Sequence, residues 1–256
     1  MIAIFGGTAA YHLNLADVGR VAGTIETRTE FGTVSFTRLI TGRGAEVVFL
    51  SRHGVGRLAH SAAFINHRAH VVGALEIGAK AILSWNGVGA INSALNVGDL
   101  VVPEDVIDET RARGGELGIR IGALGIGDVG LGGGAQPLVQ APFDPSLRMA
   151  LLQAAAKNSQ FAVRSSQCTY VCTEGPRLET PAEIAAFARL GADVVGMTLC
   201  PEVWIAAEVR LPYASLCVVT NMAAGLSYLN AARDFGPEVG AKCLRVCLRA
   251  AEGITR

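Results

Sequence analysis

"AILSWNGVG", residues 81–89, decides the fold. Its first part, Ala81 to Trp85, is an apolar run of strand length, and a polar, glycine-containing stretch, Asn86-Gly87-Val88-Gly89, ends it. Similar runs recur at Ile2–Phe5, Val47–Leu50, Leu100–Val102, Thr169–Cys172, Asp193–Met197 and Ser215–Thr220. Amphipathic stretches fall between several of them, at 58–77, 145–157, 181–190, 201–209 and 237–252. Continuous apolar strands alternating with helices predict an α/β protein whose mostly parallel sheet is covered on both faces, a helix-sheet-helix sandwich. A single domain over residues 1–256 accommodates all of it, and half of the chain is hydrophobic, enough for a sizeable core.

Charge argues for a small-molecule ligand. Lys+Arg and Asp+Glu both total 22, so no broad field is available to attract nucleic acid or an anionic membrane. No stretch carries 18 uninterrupted apolar residues, and the opening Met-Ile-Ala-Ile-Phe-Gly-Gly-Thr lacks a basic leader pattern; a cytoplasmic protein is expected. The six cysteines, at 168, 172, 200, 217, 243 and 247, include no C-x-x-C pair, and all five histidines lie at or before position 70. Zinc spacing is therefore absent, and reduced core thiols are expected. Ten glycines within residues 114–135 read as a mobile loop.

In an open α/β sheet, ligands bind beyond the carboxyl ends of the strands. Here those positions are polar: Gly6-Gly7-Thr8, Ser51-Arg52-His53-Gly54, Asn86-Gly87, Glu174-Gly175-Pro176-Arg177, Met197-Thr198 and Thr220-Asn221. Gly6-Gly7-Thr8 offers backbone N–H groups and a hydroxyl to an anion, although a tight turn after an edge strand explains it equally well. Arg52-His53 offers a planar fork of donors beside a titratable ring, which suits phosphate or a solvated surface. G-x-G-x-x-G, Walker A and G-x-S-x-G are all missing, which disfavours a dinucleotide site, an NTP site and a serine hydrolase. The amphipathic stretch 58–77 places His60, His67 and His70 on a helix as surface or satisfied core residues.

Taken together, Gly6-Gly7-Thr8, "SRHG" from Ser51, "VGDLVVPEDVID" from Val97, "TEGPRLETPAEI" from Thr173, "GADVVGMTLCPEV" from Gly191 and "VVTNMAAG" from Val218 resemble the trimeric purine nucleoside and 5'-methylthioadenosine phosphorylases. The resemblance implies a three-layer α/β/α sandwich with a mixed, mostly parallel central sheet. It also implies inorganic phosphate as cosubstrate, no metal or organic cofactor, and a homotrimer or dimer of trimers. By motif position, Thr8, Arg52, His53, Asn86, Gly87 and Thr198 are implied at phosphate, and Leu178, Glu179, Met197 and Asn221 at base and ribose. A carboxylate at Glu179 accepts N1–H of a 6-oxopurine and repels the bare N1 lone pair of adenine. Asn221 donates to O6 and accepts from N7–H, where adenine-cleaving members tend to carry aspartate. Arg177 braces the loop between them.

The chain departs from the family pattern in three places. The phosphate loop reads Gly6-Gly7-Thr8-Ala9, so a methyl group sits where a third glycine is usual, and would be strained if that position needs positive φ. The second histidine after Arg52-His53-Gly54 is shifted or gone, and residues 114–135 replace a stretch that usually helps enclose the sugar. No histidine is present in the last helical stretch to meet a ribose 5'-hydroxyl, which makes 5'-methylthioinosine a substrate expectation beside inosine and guanosine. Cleavage of 5'-methylthioadenosine and a catalytically degenerate purine-binding paralogue remain the alternatives.

Overall fold

The computed structural model describes residues 1–111, 141–157, 167–226 and 237–254. The centre of the sheet is β1 (Ile2–Gly6), buried over all five residues. It runs parallel to β4 (Glu46–Ser51) on one side and β5 (Ile82–Ala90) on the other, with Phe5 level with both Leu50 and Ser84. On its other edge β5 pairs in parallel with β10 (Tyr213–Met222), and its last two residues pair antiparallel with β9 (Val194–Gly196). From β9 the sheet continues in parallel to β8 (Thr169–Cys172) and β7 (Asp105–Asp108), while β6 (Leu100–Val101) lies antiparallel on β10. The opposite edge is a hairpin, β2 (Arg20–Thr29) with β3 (Gly32–Ile40), joined antiparallel to β4. The central sheet is thus mixed, with its parallel strands at the core.

Alternation along each strand fills two layers. Ala3, Phe5, Ile82, Tyr213 and Cys217 pack with α1 (His67–Glu76) and α4 (Glu202–Glu208), through Val71, Val72, Val203 and Ile205. Ile2, Ile4, Leu83, Trp85 and Leu216 pack with α2 (Pro145–Ala156) and α5 (Pro237–Ile254), through Leu147, Leu151 and Leu244. Each such fully buried aliphatic side chain contributes roughly 1.5–3 kcal/mol of hydrophobic stabilisation. A shorter helix, α3 (Pro181–Arg189), packs through Ile184 on Val171 and Val195. All six cysteines are buried and none forms a disulfide, as expected of core thiols, and burial pushes Cys168 and Cys243 up to about 12.

Several expectations need correction. The helix expected at 58–77 begins only at His67, because the Asn66 side chain accepts from Ala69 N at 3.0 Å and caps it there. His60 therefore lies outside the helix, where its carbonyl oxygen meets the His53 ring. Gly6 does not end an edge strand, since β1 is flanked on both sides. Asn86 and Gly87 lie inside β5 rather than beyond it, and Asn221 lies inside β10. The β2–β3 hairpin and β7 were not foreseen, since their exposed faces carry Arg, Glu, Thr and Asp instead of an apolar run. The glycine-rich segment 114–135 lies outside the described residues.

Candidate active site

A cleft of about 430 Å³ opens where β1, β5, β9 and β10 end. Eight of the ten expected site residues line it: Thr8, His53, Gly87, Leu178, Glu179, Met197, Thr198 and Asn221. A larger groove of about 1280 Å³, between α2 and α5, contains none of them, so the strand-end cleft is the one where the polar groups converge.

One wall of the cleft is built from buried backbone and hydroxyls. The Thr8 hydroxyl accepts from Gly87 N–H at 3.2 Å, which leaves its own proton free for an anion. Gly87 is required there, because a Cβ on it would lie 2.5 Å from Thr8 Oγ1. Thr198 donates its proton to Asn86 Oδ1. His53 places Nδ1 2.9 Å from the His60 carbonyl oxygen, so Nδ1 donates and Nε2 is left as an acceptor. Burial pushes the His53 ring down to about 4, and at neutral pH it adds no positive charge.

Arg52 does not occupy the place expected of a direct phosphate ligand, and Asn86, expected near phosphate through its backbone, does not line the cleft. Arg52 is 1% exposed and does not line the cleft. Its Nε and Nη2 donate to Glu202 at 2.7 and 2.5 Å, and its Nη1 donates to the Trp85 carbonyl at 3.0 Å. A buried guanidinium demands such a partner, since an unpaired charge there would cost several kcal/mol. Asn86, also 1% exposed, spends its side chain on Thr198 and Ser215. Both residues support the wall from behind.

The opposite wall is the Thr173–Glu179 loop together with the end of β10. Thr173 Oγ1 donates to Glu179 Oε1 at 2.6 Å, which fixes the carboxylate and leaves Oε2 for a ligand. Thr220 Oγ1 donates to Asn221 Oδ1 at 2.9 Å, and Asn221 Nδ2 donates to the Met222 carbonyl at 3.0 Å. The amide is thereby oriented, with one N–H and one lone pair left over. Met197 lies against Gly175, whose φ of +65° and whose missing Cβ, which would be 2.7 Å from the Met197 sulfur, both demand glycine. Arg177 forms a bidentate pair with Glu183 at 2.9 and 2.7 Å, and Glu183 completes a capping box with Thr180. The arginine braces the loop and is not part of the lining. Its guanidinium holds the Glu183 carboxyl at about 2.

Sequence reasoning missed the supporting residues Thr173, Glu202, Tyr213, Ser84 and Ser215, and placed Thr220 at a strand end without giving it a role. Glu202 carried a readable signal, a carboxylate followed directly by the apolar run Val203–Ala207 and falling on the buried side of its helix. The hydroxyls carried none, because small polar residues inside strands are common.

The phosphate-loop departure is real in its geometry. Ala9 sits at φ 63°, ψ 1°, in the left-handed region, and its side chain is buried. A non-glycine residue there costs about 1–2 kcal/mol.

Comparison with known proteins agrees with this geometry. A family model described as the phosphorylase superfamily matches residues 1–252. A probable 6-oxopurine nucleoside phosphorylase of Thermococcus kodakarensis is 40% identical over 228 residues, covering 88% of this chain and 80% of that one. A probable S-methyl-5'-thioinosine phosphorylase of Methanopyrus kandleri is 42% identical over 207 residues, covering 77% of this chain and 72% of that one. Among solved structures, methylthioadenosine phosphorylase from Schistosoma mansoni in complex with adenine superposes with a TM-score of 0.83 at 26% identity, over 99% of this chain and 91% of that one.

Proposed function

The chain belongs to the phosphorylase superfamily, and from that premise and the cleft we propose that it cleaves 6-oxopurine nucleosides with inorganic phosphate, as a purine nucleoside phosphorylase. Inosine, guanosine and 5'-methylthioinosine are the substrates of this class. Phosphate oxygen bonds to C1' as the C1'–N9 bond breaks, and the electron pair of that bond leaves with the purine. The products are the free base and a ribose 1-phosphate or its 5-methylthio counterpart.

Rate enhancement comes from groups that meet charge only as it develops. Thr8 and the Gly87 strand hold phosphate on one face of the sugar. The purine leaves with negative charge on its ring and takes a proton at N7 from solvent, as the phosphate gives up its own in forming the sugar 1-phosphate; Asn221 donates its remaining N–H to O6, and its carbonyl oxygen accepts from the N7–H so formed. Glu179 Oε2 accepts from N1–H. Met197 borders the ribose, and Leu178 closes over the base. No metal or organic cofactor enters these steps.

The observation that carries the reading is the pairing of Glu179 and Asn221 on one wall of a cleft whose other wall presents Thr8 and Thr198. An anchored carboxylate facing the bare N1 of adenine would be left unpaired, which favours the 6-oxo bases. The test is base release from inosine, guanosine and 5'-methylthioinosine, with and without phosphate. Release that depends on phosphate is expected; release at the same rate without phosphate, or none from any of the three, overturns the proposal.

A homotrimer, or a dimer of trimers, is part of the same proposal. Val55, Leu58 and Phe64, at 89%, 57% and 73% exposure, lie on the segment that brings Ala62 to the cleft, and a neighbouring subunit would cover them. Sedimentation at micromolar concentration checks this, with a single monomeric species as the contrary result. A cytoplasmic location is proposed too; no helix among the described residues is long and apolar enough to cross a membrane.

A further inference from the structure

The anion side of the cleft is built without a free positive charge among the described residues. Arg52 stands behind the phosphate loop, with Nη1 3.3 Å from where a Cβ on Gly7 would lie. All five of its N–H groups are engaged. Nε and Nη2 donate to Glu202, Nη2 also to Tyr213 Oη at 3.4 Å, and Nη1 to the Trp85 carbonyl and Asn86 Oδ1 at 3.0 and 3.5 Å. Glu202 matches the guanidinium charge in direct contact, so the pair offers the cleft a dipole and no net charge.

His53 adds a lone pair instead of a charge. Its Nδ1 faces the His60 carbonyl oxygen, which can only accept, so Nδ1 carries the ring proton and Nε2 is the acceptor. Burial keeps the ring neutral. Arg52 and His67 work in the same direction, the His60 carbonyl and Glu202 work against it, and Tyr11 faces the ring edge-on at 6.4 Å. On the far side of the cleft, Glu179 is the one charged side chain that the described residues contribute to the lining. An anion entering here meets threonine hydroxyls, a lone pair and a carboxylate.

We propose that the cleft takes inorganic phosphate in its singly charged form, dihydrogen phosphate, with one phosphate hydroxyl donating to His53 Nε2. This rests on the phosphorolysis reading and deepens it by naming the charge state of the cosubstrate. A second negative charge has no free cation to meet and is repelled by Glu179, which across a cleft of this size weakens binding on the order of 10-fold. A hydroxyl facing Nε2 satisfies a lone pair that a bare phosphate oxygen would oppose. The reaction balances from this state. As one phosphate oxygen bonds to C1', one of the two phosphate protons is released and the purine takes one at N7. A singly charged anion and a neutral nucleoside thus give a singly charged sugar 1-phosphate and a neutral base.

Equilibrium binding of inorganic phosphate to the intact protein, without nucleoside and between about pH 6 and pH 8.5, tests this. Affinity for total phosphate should hold steady on the acid side of phosphate's second ionisation and fall about 10-fold per pH unit beyond it, following the singly charged fraction. Glu179→Gln removes the opposing charge and should tighten binding at the alkaline end by at least about threefold, making the fall shallower. His53→Gln keeps a lone pair without a titrating ring, so the fall should persist in that variant; its disappearance would place the proton on His53 and overturn the inference. Wild-type affinity that stays level or rises through the alkaline range, or a fall that Glu179→Gln leaves equally steep, overturns it too, while phosphorolysis stands. Absence of phosphate binding at every pH overturns phosphorolysis, and this inference with it.

Discussion

The two walls of the cleft are made differently. The phosphate wall is held from behind by wholly buried groups, Arg52, Glu202, Ser84 and Ser215, in a network that ends on an ion pair at 2.5 Å. The base wall rests on an exposed loop, where Leu178 is 58% exposed and the bracing pair Arg177–Glu183 stands in solvent. An oxyanion has one shape and one small set of protonation states, so its wall can be rigid and shared with the core. A base is selected among near-identical rings, and its wall is two side chains, Glu179 and Asn221, each oriented by one neighbouring threonine. Damage to the first wall should appear as lost folding, damage to the second as lost discrimination.

The largest effect is expected from Glu202→Ala, which leaves the Arg52 guanidinium buried without its partner and should cost about 3–5 kcal/mol of stability. Urea unfolding measures it, and a loss under about 1 kcal/mol would show that the phosphate wall does not depend on the ion pair. On the base wall, Glu179→Ala should lower kcat/KM for inosine by about 100-fold while the unfolding midpoint hardly moves. A parallel fall in stability would erase the contrast between the walls.

Acid should act on the phosphate side as well. Burial pushes the His53 ring from 6.5 to about 4 and the His70 ring to about 3. The unfolded chain takes up these protons near pH 6.5, the folded chain only at the lower values. Their contribution is therefore complete above pH 6.5 and is lost as the pH falls toward 4. Urea midpoints at pH 7.5 and 5 should show the drop, and His70→Leu should flatten it; an equally steep fall in that variant would place the acid sensitivity elsewhere. The smallest effect belongs to Ala9→Gly, which relieves the left-handed backbone at φ 63° and should raise stability by about 1 kcal/mol, read in the same unfolding experiment. A loss instead would mean that the buried methyl contributes more than the strain removes.

How much of this was legible in the sequence follows from where each signal lives. Strands buried on both faces, such as β1 and β5, are apolar throughout and announce themselves, whereas β2, β3 and β7 carry charged exposed faces and do not. Eight of the ten expected site residues line the cleft because a polar residue directly after an apolar run has few places to go in an α/β sheet. Arg52 defeated the reading because nothing nearby in sequence announces its partner, Glu202, 150 residues away. Separations of 129 and 131 residues hid the contacts of Ser84 with Tyr213 and Ser215, which form only when β5 and β10 pair in register. Local pattern shows what a residue can do; pairing over a long separation decides what is left for it to do.

The most direct measurement is the ratio of kcat/KM for 5'-methylthioinosine to that for 5'-methylthioadenosine, at saturating phosphate, in the wild type and in Asn221→Asp. The two substrates share a sugar, so only the base wall distinguishes them. A wild-type ratio above about 100 that collapses in Asn221→Asp is expected from two paired polar contacts to a 6-oxopurine. A ratio near or below one would contradict the reading of Glu179 and Asn221 as the base selectors.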